Sequence, residues 1–333
     1  MSVTRFIRVF VMENLYLNCL NKYGVDPDSI SVPKAVFENS MALIPTSQVA
    51  VLYSELEKHS GDGDYVLNSM AGSPLDHTKM ISRWILSAPD VTSCVRRFNG
   101  GVFCLHSGAT VQGSQIGNII KWTYDVKGLP VNIRVHDSVR FAIFMVKLLR
   151  DYLGENYTPV RVLLCGFRSN QKVYDSFFGC EVVWNHHRTE VWLSNEDRLH
   201  SKQLDTRKTH NLAMTYSELD SLLDMPNPDE FLKNVSEMIK YCRYYGLPTV
   251  ERVAGFMGLS SQQLQRKLNA EGASFTVLFN YVLGNYAAEQ LTKGKSPKIV
   301  AQSIGYTNVG SFNRMFKKQR GVTPLEYLDL NRT

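Results

Sequence analysis

No two cysteines of this chain stand close enough in sequence to act together. The six (Cys19, Cys94, Cys104, Cys165, Cys180 and Cys242) are scattered, with no C-x-x-C pair among them. That excludes a zinc knuckle or a disulfide framework and predicts reduced, mostly buried thiols. Also missing is any run near 18 apolar residues, so no membrane span or membrane partner is expected. The N-terminal apolar run "VFVM" stops at Glu13, too short for a signal-peptide core, which points to a cytoplasmic protein. The chain lacks G-x-S-x-G, a P-loop and G-x-G-x-x-G, so nothing specific supports an enzyme, a catalytic residue or a cofactor. The only histidine pair is His186-His187. Read as strand residues, the two point to opposite faces and do not share a metal ion. Asp62 and Asp64 in "SGDGDY" read as a polar turn rather than a cation loop.

What is present is positive charge in one place. The 333 residues are 44% apolar and 20% charged, ordinary for a folded chain of two domains. Residues 1–225 hold 23 Lys/Arg and 23 Asp/Glu, whereas residues 226–333 hold 14 and 8. The whole excess of +6 therefore lies in the last third. A basic module beside a neutral one points to a polyanion partner for that module alone.

The boundary is marked by "DMPNPDE", residues 224–230, because Pro226 and Pro228 bias the residues before them away from helix. We expect one domain over 1–205, a linker over 206–228 and a second, basic domain over 229–333. The first part alternates types. A helix is expected from Phe6 to Tyr23 and another near 47–58, then two short helices broken by Pro89. Two strands, the helix "DSVRFAIFMVKLLRDYLGE", the strand "PVRVLLCGF" and the short helix "NQKVYDSFFG" follow. "CEVVWNH" and "TEVWLSN" read as a closing strand pair. That order predicts an α+β domain with a mixed sheet. Its aromatic residues Trp84, Trp122, Tyr124, Phe141, Phe144, Trp184 and Trp192 suit a core or a ligand pocket. Which residues would bind a ligand stays open at this point. Beyond the boundary the pattern is all helical, opening with Asp229 as an expected N-cap and Gly246 as a stop.

Within the basic third, "VAGFMGLSSQQLQRKL" from 253 and "VAQSIGYTNVGSFNRMF" from 300 repeat one design. Each begins Val-Ala, has a glycine four residues after the alanine (Gly258, Gly305), and runs into an apolar-x-Arg-x-apolar core. Each reads as helix, glycine turn, helix, over 249–270 and 297–320. At about 100° per residue, Phe312, Met315 and Phe316 share one side of the second helix. Gly310, Asn313, Arg314 and Lys317 share the other. In the earlier copy Leu264 and Leu268 face inward and Gln262, Gln263 and Arg266 outward. Ser260 or Ser261 is expected to cap the first of these helices, and Asn308 or Thr307 the second. Arginine forks onto guanine and Gln or Asn onto adenine. Lys317, Lys318 and Arg320, late in their helix, suit phosphates. About 20 residues separate the copies. As a helix they would span about 30 Å, close to the spacing of about 34 Å between major-groove faces on one side of DNA. Some DNA bending is expected as well.

These residues resemble the AraC/XylS transcription regulators. Their signature is filled by Ile299 (shifted by one position), Ala301, Gly305, Tyr306, Phe312, Arg314, Phe316, Lys317, Lys318, Gly321, Thr323 and Pro324. The resemblance covers residues 231–328. It implies seven helices forming two helix-turn-helix units joined by a linker helix, with double-stranded DNA and RNA polymerase as partners. By position it puts base reading on Gln262, Gln265 and Arg266, then on Val309, Gly310, Asn313 and Arg314. Gln263, Asn308, Ser311, Lys317 and Lys318 complete the expected DNA-binding set. Leu283 stands where many relatives carry arginine, and Gly284 weakens the linker helix by roughly 1 kcal/mol relative to alanine. Val309 and Gly310 offer no side-chain hydrogen bonds. The stretches "GDGDYVLNSMAGSPLDHTKMISRWILSAPDVTSCVRRF" and "VYDSFFGCEVVW" look like the arabinose-binding-type sensor domain of the ornithine-utilisation-like branch. That branch implies a domain that senses an effector or dimerises, without implying arabinose. The reading kept beside this one is a ligand-independent DNA-binding adaptor acting through protein contacts.

Overall fold

The computed structural model describes residues 4–201 and 214–331, which form two compact units. The larger is built from Phe6–Ser31 and the described part of Val49–Met225; the smaller from residues 4–5, Val32–Gln48 and the described part of Pro226–Thr333.

The larger unit opens with β1 (Phe6–Arg8) and α1 (Val9–Tyr23), not with one continuous helix from Phe6. Ser107 explains the difference. Its Oγ accepts from the Phe6 amide at 2.9 Å and its amide donates to the Phe6 carbonyl at 3.0 Å, so tertiary bonds hold Phe6 extended. After β2 (Leu43–Pro45), which belongs to the smaller unit, come α2 (Thr46–Ser60), α3 (Tyr65–Met70), α4 (Met80–Leu86) and α5 (Val91–Leu105). The break at Pro89 is followed at once by Asp90, whose Oδ1 caps α5 through the Ser93 amide at 2.7 Å.

The mixed sheet holds β3 (Ala109–Ile116), β4 (Ile119–Val126), β5 (Arg161–Leu163), β6 (Val182–Val183) and β7 (Thr189–Ser194), in the order β3-β4-β7-β5-β6. β6 and β7 are therefore not neighbours, contrary to the pairing expected from their alternation. β5 lies between them, antiparallel to β7 and parallel to β6. The parallel pair needs a crossover, which α7 (Gln171–Phe178) supplies. α6 (Arg134–Leu153) runs through the core, with Ala142, Ile143, Met145, Val146, Leu148 and Leu149 fully buried. Asp137, also on α6, is fully buried but well bonded. It accepts from Tyr53 Oη at 2.9 Å, Tyr124 Oη at 2.6 Å and Arg140 Nη2 at 2.7 Å. Burial alone would raise its pKa; the Arg140 charge and these hydrogen bonds outweigh burial and hold the carboxyl below its usual range.

Of the expected linker over 206–228, residues 206–213 lie outside the described residues. The following stretch forms α8 (Tyr216–Leu223), capped by Thr215 and packed on α5. Trp84 Nε1 donates to the Met214 carbonyl at 2.7 Å and Arg8 Nη2 to the Leu223 carbonyl at 2.5 Å. Trp122 and Tyr124 are core residues, whereas Phe144 is half-buried. Asp62 and Asp64 form a turn: Tyr23 Oη donates to Asp62 at 2.5 Å and Tyr174 Oη to Asp64 at 2.8 Å. His186 and His187 fall between β6 and β7 rather than on a strand, with ring centroids 4.2 Å apart.

The smaller unit carries α9 (Phe231–Cys242), α10 (Val250–Phe256), α11 (Ser261–Ala270), α12 (Phe275–Thr292), α13 (Pro297–Ser303), α14 (Val309–Arg320) and α15 (Pro324–Leu330). β2 packs against α9. The cap position of α9 is Glu230, not Asp229, and the Glu230 carboxylate accepts from the Asn227 amide at 2.7 Å instead of capping. α12 is the brace of the unit, touching α9, α13, α14 and α15.

Candidate nucleic-acid interface

The first helix pair is α10 and α11. Thr249 caps α10, Ala254 is buried where the pair closes, and Gly258 turns the chain at φ +67°. Ser260, not Ser261, caps α11. Its Oγ accepts from the Gln263 amide at 3.2 Å while Gln263 Oε1 accepts from the Ser260 amide at 2.8 Å. Leu264 and Leu268 are fully buried and fix the helix to its unit. Gln262, Gln263, Gln265 and Arg266 are all exposed. Gln263 is committed to the capping box, which leaves Gln262, Gln265 and Arg266 as the open amides and cation of this face.

The second pair is α13 and α14. Ser296 caps α13 with Pro297 at its first position, and the turn passes through Gly305 at φ +89°. Asn308, rather than Thr307, caps α14, its Oδ1 accepting from the Ser311 amide at 3.1 Å. Phe312 and Phe316 are fully buried, with Met315 beside them, and Phe316 meets Tyr327 of α15 edge to face at 5.4 Å. Gly310, Arg314, Lys317 and Lys318 are exposed; Val309 and Ser311 are half-buried. Arg314 Nη2 donates to Ser311 Oγ at 3.1 Å, which sets the direction of the guanidinium in the free protein. Asn313 is half-buried, and its Oδ1 is shielded with no hydrogen bond among the described residues.

Lys317, Lys318 and Arg320 lie in the last turn of α14, where cations also complement the helix dipole. Arg320 has a structural task that the sequence did not reveal: its Nη2 donates to Asn285 Oδ1 of α12 at 2.5 Å. Gly284 of α12 was missed as a contact residue as well. A Cβ there would lie 2.7 Å from Gln319 Cγ, so α14 leaves no room for a side chain at this point of α12. Leu283 is fully buried, which suits its apolar side chain. A small residue inside a long helix was the available signal for this contact. Among the described residues no group of three or more His, Cys, Asp or Glu could hold a metal ion, and no helix is long and apolar enough to cross a membrane.

Against known proteins, residues 17–200 match the family described as the arabinose-binding domain of AraC transcription regulators, N-terminal, and residues 253–329 match a helix-turn-helix domain. An uncharacterized HTH-type transcriptional regulator of Mycobacterium tuberculosis, Rv1395, is 32% identical over 122 residues, 35% of either chain. The HTH-type transcriptional regulator AdiY of Escherichia coli is 35% identical over 81 residues, 24% of this chain and 32% of that one. These matches thus span about a third of each relative's length. The crystal structure of transcriptional regulator CdpR from Pseudomonas aeruginosa aligns over 96% of this chain and 98% of that one, at TM-score 0.41 and 16% identity. Both halves match regulators of one kind, and the first match alone covers more than half of the chain: the chain belongs to the AraC family of transcription regulators.

Proposed function

We propose that residues 229–333 bind duplex DNA by setting α11 and α14 into successive turns of one major groove. Gln262, Gln265 and Arg266 read bases from the first helix, and Asn313 and Arg314 from the second. Lys317 and Lys318 neutralise phosphates, Gln263, Asn308 and Ser311 hold the helix starts in place, and Val309 and Gly310 let the backbone approach the groove. The larger unit, extended through α8, governs that binding in response to an effector, with RNA polymerase as the protein partner and the cytoplasm as the site of action. A homodimer is compatible with this arrangement.

The observation that carries the reading is the pairing of two capped helices, each anchored by buried apolar side chains and each leaving amides and cations open. They stand in the part of the chain that holds all of its net charge. Binding to a selected duplex should weaken by about 1–3 kcal/mol for Arg266→Ala and for Arg314→Ala, unequally across sequences. Lys317→Ala should reduce the salt slope by about one unit on any duplex. Titrations over a range of salt check all three. Unchanged affinity in both arginine variants contradicts the assigned faces.

A further inference from the structure

The larger unit holds a partly open cavity of about 120 Å³ among α1, α4, α5, α6 and the segment 70–79. Phe10, Phe98, Phe141, Phe144, Ile85 and Val102 form much of its wall. Three cations also line it, and they are not equivalent. Arg140 is balanced by Asp137 at 2.7 Å, and Lys79 by Glu13 at 2.6 Å. Lys147 has no carboxylate partner among the described residues. Its Nζ donates only to the backbone carbonyls of Met70 and Ser73. Asp76, the one carboxylate in the wall, is turned onto Thr78, accepting from its amide at 2.9 Å and its hydroxyl at 2.6 Å. Burial, and then the neighbouring Arg150 charge, lower the Lys147 ammonium to about 8. A desolvated ammonium with no counter-charge is compensated best by an anion. Lys147, Phe144 and Arg140 recur on one face of α6 at helical spacing, so charge and ring face the same space.

We propose that this cavity is the effector site and that it takes a small hydrophobic monocarboxylate, its carboxylate on Lys147 Nζ and its apolar body against Phe144 and Phe98. Size sets the ligand's limit. A dry apolar cavity of about 150 Å³ holds benzene; this one, at about 120 Å³, is smaller but open on one side, so a ring or a chain of about six carbons fits with one end at the mouth and a nucleotide does not. Arabinose, the sugar in the matching family's description, is the wrong chemistry. Each of its hydroxyls needs a polar partner on burial, and the wall offers mainly rings and aliphatic carbon.

The inference rests on the larger unit being the regulatory one, but its test needs no DNA. Calorimetric titration of the full chain with benzoate and with 4-methylpentanoate should give saturable binding. Benzamide should bind at least about tenfold more weakly, and L-arabinose not at all. Lys147→Met should remove the preference for benzoate over benzamide. Val102→Phe, which fills the cavity and leaves Lys147 in place, should abolish binding of both and keeps the test open if Lys147→Met fails to fold. Binding of arabinose, no binding of either carboxylate, or a benzoate preference that survives Lys147→Met would each overturn the proposal. Duplex binding, measured on the same protein, separates the readings. Its loss with carboxylate binding intact counts against the DNA reading alone, and the converse against this site alone.

Discussion

A Cβ at position 305 would sit 2.1 Å from the Leu247 nitrogen and 2.3 Å from the Gly246 carbonyl carbon, on a backbone held at φ +89°. The turn between α13 and α14 therefore needs glycine twice over, for its torsion and for its neighbour. Backbone cannot step aside as a flexible side chain does, so Gly305→Ala should cost at least about 3 kcal/mol. Urea unfolding checks this, and a loss below about 1 kcal/mol contradicts the contact. His136 offers a second prediction at this scale. It is 2% exposed, stacked on Tyr53 and close to Tyr65. Arg168 Nη2 lies 2.9 Å from its Nδ1, and Arg168 can only donate, so Nδ1 is the acceptor and Nε2 carries the proton, 3.4 Å from Glu57. Burial and then the Arg168 charge lower its pKa to about 3, against an opposing pull from Asp137. The unfolded chain then binds one more proton than the folded one between about pH 6.5 and pH 3. Stability from this group is complete above about pH 6.5 and falls with pH through that window, by up to about 1.4 kcal/mol per unit. Denaturant titrations of His136→Gln should show a shallower acid loss than those of the parent, and equal slopes would contradict the assignment.

Among the elements, α12 shows best what sequence patterns reveal and what they hide. Its length and its place between two helix pairs are legible in residues 274–293, and so are the buried stripes of α11 and α14. These features are local, written as helical periodicity, and periodicity survives folding. Gly284 reads in sequence only as a weak point in that helix. In the fold it is the close contact with Gln319, 35 residues away, which no local pattern encodes. Helix propensity alone predicts that Gly284→Ala stabilises by roughly 1 kcal/mol. The contact predicts a net loss of about 1–3 kcal/mol, recovered in large part by adding Gln319→Ala. A double-mutant cycle in thermal or urea unfolding decides between them, and additive losses contradict the contact. The same limit explains β5. Its residues are strand-like, but the strands it separates are chosen by α6 and the α7 crossover, so β6 and β7 look like a pair only in sequence.

For the molecule as a whole, the separation of a neutral from a basic region is visible in charge and in the prolines at 226 and 228. That residues 32–48 join the smaller unit, with β2 against α9, has no local signature, because strand β2 is only three residues long. Nor could sequence show that α8 packs on α5, which ends more than 100 residues earlier, or that Arg8 bonds the Leu223 carbonyl. The proposed action needs both α11 and α14 on the same duplex. Hydroxyl-radical footprinting of the full chain on a duplex selected from a random library tests that need. It should show two protected patches about one helical turn apart on one face of the DNA, the first weakened by Arg266→Ala and the second by Arg314→Ala. A single patch of half a turn, or two patches equally affected by either substitution, would contradict it.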